Sequence, residues 1–285
     1  MTIQRILVIG AGTMGRQIAM SCALGGYTTV LQDISGPALD AARTELENWS
    51  ASRVAKGKLS QDEVDSALQL LSQESDLTSA AKDADLVIEA AVERLDIKEQ
   101  IFAQLGQITA EHAILATNSS TLPSSKVAAA SGRPDRVCNM HFFNPALVMK
   151  CVEIVRNADT SDATVNAVTE VAQRLNKQPV LVNKEIPGFI ANRMMGAINK
   201  EALNLAQSGV ASIEDIDTTA RTALGHPMGP FELMDMVGLD VVDFIAQATY
   251  AETDDEADLP HPLIVEKVAA GKLGRKSGEG FYPYN

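Results

Sequence analysis

The chain has 285 residues, of which 46% are hydrophobic and 21% charged, so its composition is that of an ordinary globular protein long enough for two domains. Its 24 basic and 37 acidic side chains give a formal net charge of −13. A nucleic-acid partner would require a basic face, so nucleic-acid binding is disfavoured.

Cysteine usage and the apolar start of the chain indicate a cytoplasmic location. Cys22, Cys138 and Cys151 have no paired spacing, so the sequence predicts neither a disulfide framework nor a metal site and is typical of a reducing compartment. The apolar run at residues 6–12 is too short to span a bilayer and lacks the cleavage site of a signal peptide. We therefore expect a soluble cytoplasmic protein with no membrane partner.

The first half of the chain alternates strand and helix patterns. Residues 5–9 form an apolar run that predicts a strand, and residues 14–26 then carry apolar side chains at helical spacing. Residues 28–33 predict a second strand, followed by a helix with Pro37 near its first turn. Between helical segments, further buried strands are predicted at residues 84–90, 113–120 and 136–143. This alternation predicts an α/β fold with a Rossmann-type, doubly wound and mostly parallel sheet.

The strand patterns end at about residue 183. Strand-like and helix-like segments continue the alternation from residue 150 to this point, and Pro187 and Gly188 then break the chain. Beyond them, apolar residues recur at three- and four-residue intervals, which predicts helices only. We therefore place an α/β domain at residues 1–184 and an all-α C-terminal domain at residues 185–285.

The string GAGTMG, Gly10 to Gly15, fits the dinucleotide-binding pattern G-x-G-x-x-G. Glycines also mark plain turns, but this string follows a predicted strand and opens a predicted helix. Gly10 permits the tight turn, Gly12 lets the backbone approach a pyrophosphate, and Gly15 allows close packing of the helix. Thr13 and Met14 belong to the same turn, so we predict that all five residues bind the cofactor.

Asp33 ends the second predicted strand 18 positions after the last glycine of this turn (33 − 15 = 18). An acidic residue about 20 positions after the turn is expected to bind a ribose hydroxyl. A carboxylate here would repel the 2′-phosphate of NADP, so the sequence favours NAD. The alternative is that Asp33 caps the helix that begins near Ser35.

Polar side chains also follow the other predicted strands. In open α/β sheets, ligands bind outside the carboxyl ends of the strands. Residues 89–93, Lys98 and residues 118–120 should therefore line the same crevice, although each of them alone also fits a solvated loop or a helix cap.

Oxidation of an alcohol by NAD requires a base for the hydroxyl proton, and histidine suits this role because its unperturbed pKa is about 6.5. The chain has four histidines: His112, His141, His226 and His261. We expect His112 and His261 at the surface, and His226 in a turn or a domain interface. His141 differs, because it lies near the ligand-side end of a predicted strand. If the following segment folds back as a neighbouring strand, Glu153 can orient the imidazole as a triad carboxylate does; a satisfied core histidine is the alternative.

The strings that carry these residues resemble the L-3-hydroxyacyl-CoA dehydrogenase family, and within it the short bacterial 3-hydroxybutyryl-CoA dehydrogenases. They occur in the family's order and cover essentially the whole chain. The matching strings are GAGTMG, EAAVER, TNSSTLP, HFFNPALVMKCVEIV, NKEIPGFIANR, GHPMGPFELMDMVGLD and GKLGRKSGEGFY.

The resemblance implies a role for each matching position. His141 is implied as the general base, with Glu153 as its orienting partner. Ser120 and Asn192 are implied as hydrogen-bond partners of the substrate's 3-oxygen and thioester region. At the cofactor, the resemblance places Glu93, Lys98, Asn118, Ser120 and His141. It places Lys56 near the CoA phosphates, although Lys56 also fits a solvated helix end.

The implied reaction is the reversible, NAD-dependent oxidation of an (S)-3-hydroxyacyl-CoA, expected to be the C4 thioester 3-hydroxybutyryl-CoA, to the 3-ketoacyl-CoA. Two alternatives stay open. A related enzyme could use the same residues on a free hydroxy acid, and the chain could be a non-catalytic NAD-binding protein. The long apolar faces of the helical domain, together with the resemblance, also predict a homodimer formed through that domain.

Overall fold

The structure is a computed structural model that describes residues 2–284. The chain divides into two compact units, Met1–Phe189 and Ile190–Asn285. The first unit contains a sheet with helices on both faces, and the second is built from helices.

The sheet of the first unit has eight strands in the order β3-β2-β1-β4-β5-β6-β7-β8. Every neighbouring pair is parallel except β6 and β7, which are antiparallel. The predicted doubly wound, mostly parallel sheet is therefore confirmed. The strands are β1 Arg5–Ile9, β2 Thr28–Gln32, β3 Leu71–Glu74, β4 Leu86–Glu89, β5 Ile114–Thr117, β6 Val137–Phe142, β7 Cys151–Arg156 and β8 Gln178–Val182.

The helices of this unit cover the two faces of the sheet. Successive residues of β1 point to opposite faces, so Ile6 and Val8 join one apolar core while Leu7 and Ile9 join the other. The helices are α1 Thr13–Leu24, α2 Gly36–Ala55, α3 Gln61–Leu70, α4 Leu77–Ala81, α5 Leu95–Ile108, α6 Ser125–Ala128 and α7 Asp162–Arg174. Because the strand order reverses between β1 and β4, the carboxyl ends of these strands form the edge where such folds bind nucleotides.

The second unit confirms the predicted all-α domain. Its apolar core includes Leu203, Phe231 and Leu239, all almost fully buried. Within residues 190–284 the structure shows helices and two isolated bridges, Gly274 with Glu279 and Glu279 with Pro283, but no strand. The helices are α8 Ala191–Gln207, α9 Ile213–Thr222, α10 Pro230–Val237, α11 Leu239–Thr253 and α12 Pro262–Ala269.

The described residues contain no candidate for a membrane-spanning helix or a metal site. Among the helices between residues 2 and 284, none combines the length and the apolar character that crossing a membrane demands. In the same part of the chain, His, Cys, Asp and Glu side chains form no group of three or more that could hold a metal ion. Cys22, Cys138 and Cys151 are all free.

Candidate active site

The glycine turn predicted to bind a nucleotide lies between β1 and α1. Gly10 has φ +98°, and a Cβ on it would lie 2.6 Å from the carbonyl oxygen of Ala90, so a side chain cannot be accommodated there. A Cβ on Gly15 would lie 1.7 Å from the carbonyl oxygen of Gly10, because α1 packs directly on the turn. A Cβ on Gly12, the N-cap residue of α1, would meet no atom within 4 Å. The N-terminus of α1 is therefore open to an anionic ligand.

Asp33 follows β2, and its carboxylate binds the backbone of this turn. Its Oδ2 accepts a hydrogen bond from the N–H of Ala11 at 2.8 Å, and its Oδ1 accepts one from the N–H of Ser35 at 2.9 Å. Ser35, and not Asp33, is the N-cap of α2, so the capping alternative for Asp33 is wrong. The carboxylate of Asp33 is only partly buried and keeps lone pairs for a ribose hydroxyl. The glycine turn and Asp33 thus fit a dinucleotide without a 2′-phosphate.

Thr13 and Met14 begin α1 on the same turn. Thr13 is exposed, whereas Met14 is partly buried and packs against the core. Their predicted contact with the cofactor rests on their place in the first turn of the helix.

A buried ion pair lies at the carboxyl end of β4. The ammonium of Lys98 donates to Oε1 of Glu89 at 2.7 Å and to Oε2 at 2.8 Å, and the two side chains are 1% and 0% exposed. Glu89 also accepts hydrogen bonds from Oγ1 of Thr117 and from the N–H of Ala91, each at 2.7 Å. The sequence placed Glu89 in the crevice but did not predict that its carboxylate joins β4 to α5 through Lys98 and to β5 through Thr117.

Glu93 extends this polar cluster toward the segment after β5. Its Oε2 lies 3.3 Å from the ammonium of Lys98, and its Oε1 accepts hydrogen bonds from the hydroxyls of Ser119 and Thr121. Burial raises the pKa of Glu93, but the bonds from Ser119 and Thr121 and the charge of Lys98 together outweigh burial. The pKa of Glu93 is therefore held below its ordinary value of 4.5, and the side chain is ionised at neutral pH.

His141 and Glu153 lie directly opposite each other on β6 and β7. Directly opposite residues of an antiparallel pair share one face of the sheet, and Nδ1 of His141 lies 2.9 Å from Oε2 of Glu153. Both side chains are buried, at 6% and 1% exposure. Because an ionised carboxylate can only accept, a neutral imidazole in this contact carries its hydrogen on Nδ1 and leaves Nε2 as an acceptor.

Two phenylalanine rings flank the imidazole of His141. The ring centroid of Phe143 lies 4.5 Å from that of His141, and the centroid of Phe189 lies 5.7 Å away in an edge-on arrangement. Aromatic rings at these distances keep water from the sides of the imidazole and limit its rotation.

Asn118 and Ser120 lie on the segment that follows β5. Oδ1 of Asn118 accepts a hydrogen bond from the N–H of Phe142 at 2.9 Å, so the segment is fixed to β6 next to His141. Ser120 is partly buried. The hydroxyl of Ser119 accepts a hydrogen bond from the N–H of Leu122 at 2.8 Å, which closes the chain around Ser120.

Asn192 and Lys56 lie on other elements. Asn192 is partly buried in the first turn of α8, in the second unit. Lys56 is the exposed residue that ends α2, and Arg53 in the last turn of the same helix lies over the ring of Trp49 at 5.3 Å. The roles of Asn192 and Lys56 stay predictions.

The other histidines have ordinary surroundings. His112 is half exposed, and its Nε2 lies 3.0 Å from a carboxylate oxygen of Asp85. His261 caps α12 through its side chain, and burial lowers its pKa. His226 is partly buried in the turn before α10. Of the histidines in the first unit, His112 precedes β5 at the amino end of that strand, whereas His141 lies near the carboxyl end of β6, so His141 is the histidine of the candidate site.

Two family models match nearly the whole chain. The model described as 3-hydroxyacyl-CoA dehydrogenase, NAD binding domain, matches residues 5–186, and the model described as 3-hydroxyacyl-CoA dehydrogenase, C-terminal domain, matches residues 188–284. The first model describes an NAD-binding domain, in agreement with the glycine turn and Asp33.

Individual relatives match over most or all of their length. A probable 3-hydroxybutyryl-CoA dehydrogenase of Deinococcus radiodurans is 42% identical over 277 residues, which cover 97% of this chain and 99% of the relative. The mitochondrial hydroxyacyl-coenzyme A dehydrogenase of Homo sapiens is 41% identical over 290 residues, with 99% and 91% covered. The crystal structure of (S)-3-hydroxybutyryl-CoA dehydrogenase from Ralstonia eutropha superposes with a TM-score of 0.95 at 39% identity, and each chain is covered completely.

Proposed function

Because this chain belongs to the 3-hydroxyacyl-CoA dehydrogenase family and is an NAD-dependent oxidoreductase, we propose that it interconverts (S)-3-hydroxybutyryl-CoA and acetoacetyl-CoA with His141 as general acid and base. The observation that carries the proposal is the buried contact of 2.9 Å between His141 and Glu153 at the nucleotide edge of the sheet. The names of the relatives from Deinococcus radiodurans and Ralstonia eutropha support the four-carbon substrate.

In the oxidation, Nε2 of His141 takes the proton of the substrate's 3-hydroxyl group while the C3–H bond breaks. NAD, which the glycine turn and Asp33 would hold, would supply the acceptor for the hydride of that bond. Proton transfer leaves a cationic imidazole, which the carboxylate of Glu153 stabilises from 2.9 Å away. In the reverse reaction, the protonated imidazole donates to the 3-keto oxygen. His141 therefore needs a buried anionic partner in both directions, because a lone imidazolium in this site would be poorly solvated.

Ser120 and Asn192 bind the polar groups of the substrate in this proposal. The hydroxyl of Ser120 donates a hydrogen bond to the 3-oxygen, whose negative charge grows as its proton leaves, and the carboxamide of Asn192 binds the thioester region. Placement of Ser120 on the closed turn beside Asn118 supports its part of the proposal, because Asn118 fixes that turn to the strand of His141.

Glu93, Lys98 and Asn118 bind and position the cofactor in the same proposal, with the glycine turn and Asp33. Lys98 is enclosed by Glu89 and Glu93, so its ammonium acts mainly by holding the two carboxylates in place. This arrangement gives the crevice a fixed polar wall between β4 and β5.

Lys56 binds a CoA phosphate in this proposal, because it is an exposed cation in a strongly acidic chain. Lys56→Ala should raise the KM for acetoacetyl-CoA a few-fold while the KM for NADH stays constant, and the effect should shrink at high salt. Lys82→Ala, which removes another exposed cation at the end of a helix, α4, serves as the matched control.

The substrate assignment is tested by following NADH oxidation with acetoacetyl-CoA, then with free acetoacetate, and then with NADPH in place of NADH. Fast turnover with the thioester and NADH alone supports the proposal. Turnover with free acetoacetate at a comparable rate would favour an enzyme of free hydroxy acids. Tight NADH binding without any turnover would favour a non-catalytic NAD-binding protein.

The chain also forms a homodimer in this proposal, through an apolar face on α11 of the second unit. Phe244, Val241 and Ile245 recur at helical spacing on this face and are 65%, 37% and 39% exposed. An exposed apolar face of this kind marks an interaction site. Light scattering should give the mass of a dimer, and Phe244→Asp should give a folded monomer; a monomeric native protein would contradict the proposal.

A cytoplasmic location completes the proposal. Its support is the set of free cysteines, two of which are fully buried and would stay reduced in that compartment. Cell fractionation with an antibody to the native protein tests it.

A further inference from the structure

A buried asparagine, Asn139, lies on β6 two positions before His141. Neighbouring side chains of a strand point to opposite faces, so Asn139 and His141 share a face while Cys138 and Met140 enter the apolar core on the other. Asn139 is 0% exposed, whereas the residue before it on the same face, Val137, is apolar and packs in the core that contains Leu7 and Ile9. A fully buried carboxamide on a core strand requires an explanation, because its donors and acceptor must all be satisfied.

The partners of Asn139 all belong to the segment that carries Ser120. Its Nδ2 donates to the carbonyl oxygens of Ser119 and Leu122, each at 3.2 Å. Its Oδ1 accepts from the N–H of Ser124 at 2.8 Å. The two carbonyls can only accept and the amide N–H can only donate, so these partners fix which way the carboxamide points.

We propose that Asn139 is a positioning residue for the reaction: its carboxamide holds the turn at residues 119–124 so that the hydroxyl of Ser120 meets the substrate's 3-oxygen. The inference rests on the role of Ser120 given under the proposed function. Asn139 binds the backbone on both sides of Ser120 and is fixed to the strand that carries His141. The same strand therefore sets the position of the base and, through Asn139, the position of the hydroxyl.

The contacts at the far end of the turn are consistent with a fixed rather than a mobile segment. The hydroxyl of Ser124 donates to Oε1 of Glu185 at 2.9 Å, and the N–H of Ser125 donates to the same oxygen at 3.0 Å. Asn139 therefore binds the part of the turn next to Ser120, and Glu185 binds its far end at Ser124 and Ser125.

The first test uses Asn139→Ala and a matched control, Asn157→Ala. Asn157 is also a buried asparagine with two donor bonds, to the carbonyl oxygen of Val137 and to Oγ of Ser124. It therefore reaches the turn only at the hydroxyl of its last residue and bonds none of the backbone groups of the turn that Asn139 holds. Both variants should lose similar amounts of thermal stability. Only Asn139→Ala should lose kcat, about tenfold or more, with the KM for acetoacetyl-CoA within about twofold, because the bond to the 3-oxygen is strongest in the transition state.

The second test is a double-mutant cycle of Asn139→Ala with Ser120→Ala. If Asn139 acts through Ser120, its replacement in the Ser120→Ala background should reduce kcat less than about twofold further. An equal loss in both backgrounds, or a wild-type kcat in folded Asn139→Ala, would overturn the inference and leave the proposed function in place. A wild-type kcat in Ser120→Ala would overturn the role of Ser120 and, with it, the inference. If Asn139→Ala does not fold, Asn139→Ser, which keeps one donor, takes its place in the cycle, with the same expected and contrary results.

Discussion

Buried carboxylates occur in both units, but the two units satisfy them with different partners. In the first unit, Glu89 faces the ammonium of Lys98 and Glu153 faces the imidazole of His141. These partners carry a full charge or can acquire one. A carboxylate beside such a group changes its energy when a charge appears or disappears, which is what acid–base chemistry requires.

In the second unit, the buried carboxylates are Asp217 and Asp235, and their partners are neutral. Asp217 accepts from two backbone N–H groups at the start of α10 and from the hydroxyl of Tyr282. Asp235 accepts from two backbone N–H groups of the C-terminal segment and from the hydroxyl of Tyr284. These bonds fix the C-terminal segment on α9 and α10. Burial of an acid therefore does not by itself indicate catalysis; a partner that can exchange a proton near neutral pH, as an imidazole can, is the distinguishing feature.

Replacing His141 should give the largest effect on activity. In His141→Gln the side chain can still accept a hydrogen bond but cannot take a proton, so kcat should fall about 10²- to 10⁴-fold in either direction. Steady-state kinetics with acetoacetyl-CoA and NADH measure the loss, and thermal unfolding with circular dichroism checks the fold. Turnover near the wild-type rate in a folded His141→Gln protein would show that His141 is not the acid–base group. The difference between the two units would then concern structure and not chemistry.

Lys98→Met should give the largest loss of stability in the first unit. It leaves the carboxylate of Glu89 buried without its cation, which destabilises by about 3–5 kcal/mol. The double variant Glu89→Gln with Lys98→Met should recover much of this loss, because the uncompensated charge is gone. Urea unfolding of the wild type and of both variants measures the differences. If the free energy of unfolding of Lys98→Met lies within about 1 kcal/mol of the wild-type value, Glu89 and Lys98 do not form a buried pair of opposite charges.

Asp235→Asn should cost less and should not affect chemistry. The amide offers one acceptor oxygen where the carboxylate offered two, so a buried N–H is left unsatisfied at about 1–3 kcal/mol. The value of kcat should stay within about twofold of the wild type, since the partners of Asp235 are structural. Glu266→Gln, an exposed acid on α12, is the control for loss of charge alone. A fall in kcat well beyond twofold in a folded Asp235→Asn protein would contradict the distinction between the two units.

The smallest expected effect is on the pH dependence of stability, where the two regions should act in opposite directions. The pKa of Glu93 is lowered from 4.5, so its contribution to stability is lost as pH falls through the window below 4.5. Burial raises the pKa of Asp217 above 3.8 by more than its hydrogen bonds lower it, so stability falls as pH rises through the window above 3.8.

The free energy of unfolding of the cofactor-free protein, measured at a series of mildly acidic pH values, tests this pair of slopes. Glu93→Gln should remove a positive slope and Asp217→Asn a negative one. Slopes that change in the same direction in both variants would refute the assignment. The slope is the informative quantity, because each substitution also shifts stability at every pH by removing hydrogen bonds.

The sheet and the helical unit were predictable because their signals are periodic. Residues 5–9 and 28–33 are largely apolar or β-branched runs, the first followed by Gly10 and the second ending in Asp33, and they form β1 and β2. β3 was not predicted, since LSQE is short, polar and only partly buried. Its strand conformation depends on parallel pairing with β2, which is a tertiary interaction that local sequence does not encode.

The parts of the site that belong to a motif of fixed spacing could be predicted from the sequence. The parts that depend on contacts between separate elements of the fold could not. The glycine turn and Asp33 follow from spacing within one strand-turn-helix-strand unit. The pairing of Glu89 on β4 with Lys98 on α5 and the three contacts of Asn139 connect different elements of the fold, so spacing could not reveal them. A polar residue two positions before His141, in the string VCNMHFF whose residues other than Asn139 and His141 are apolar, was the one available signal for Asn139.

The register of β6 against β7 places a constraint on how this protein can change length. His141 meets Glu153 because the two residues are direct partners in an antiparallel ladder. An insertion of one residue within β7 ahead of Glu153 would turn its carboxylate to the opposite face, into the layer of Val152 and Ile154. An insertion in the connection at residues 143–150 leaves the ladder in register. Natural or engineered variation in chain length is therefore compatible with this chemistry in the connection but not in the strand.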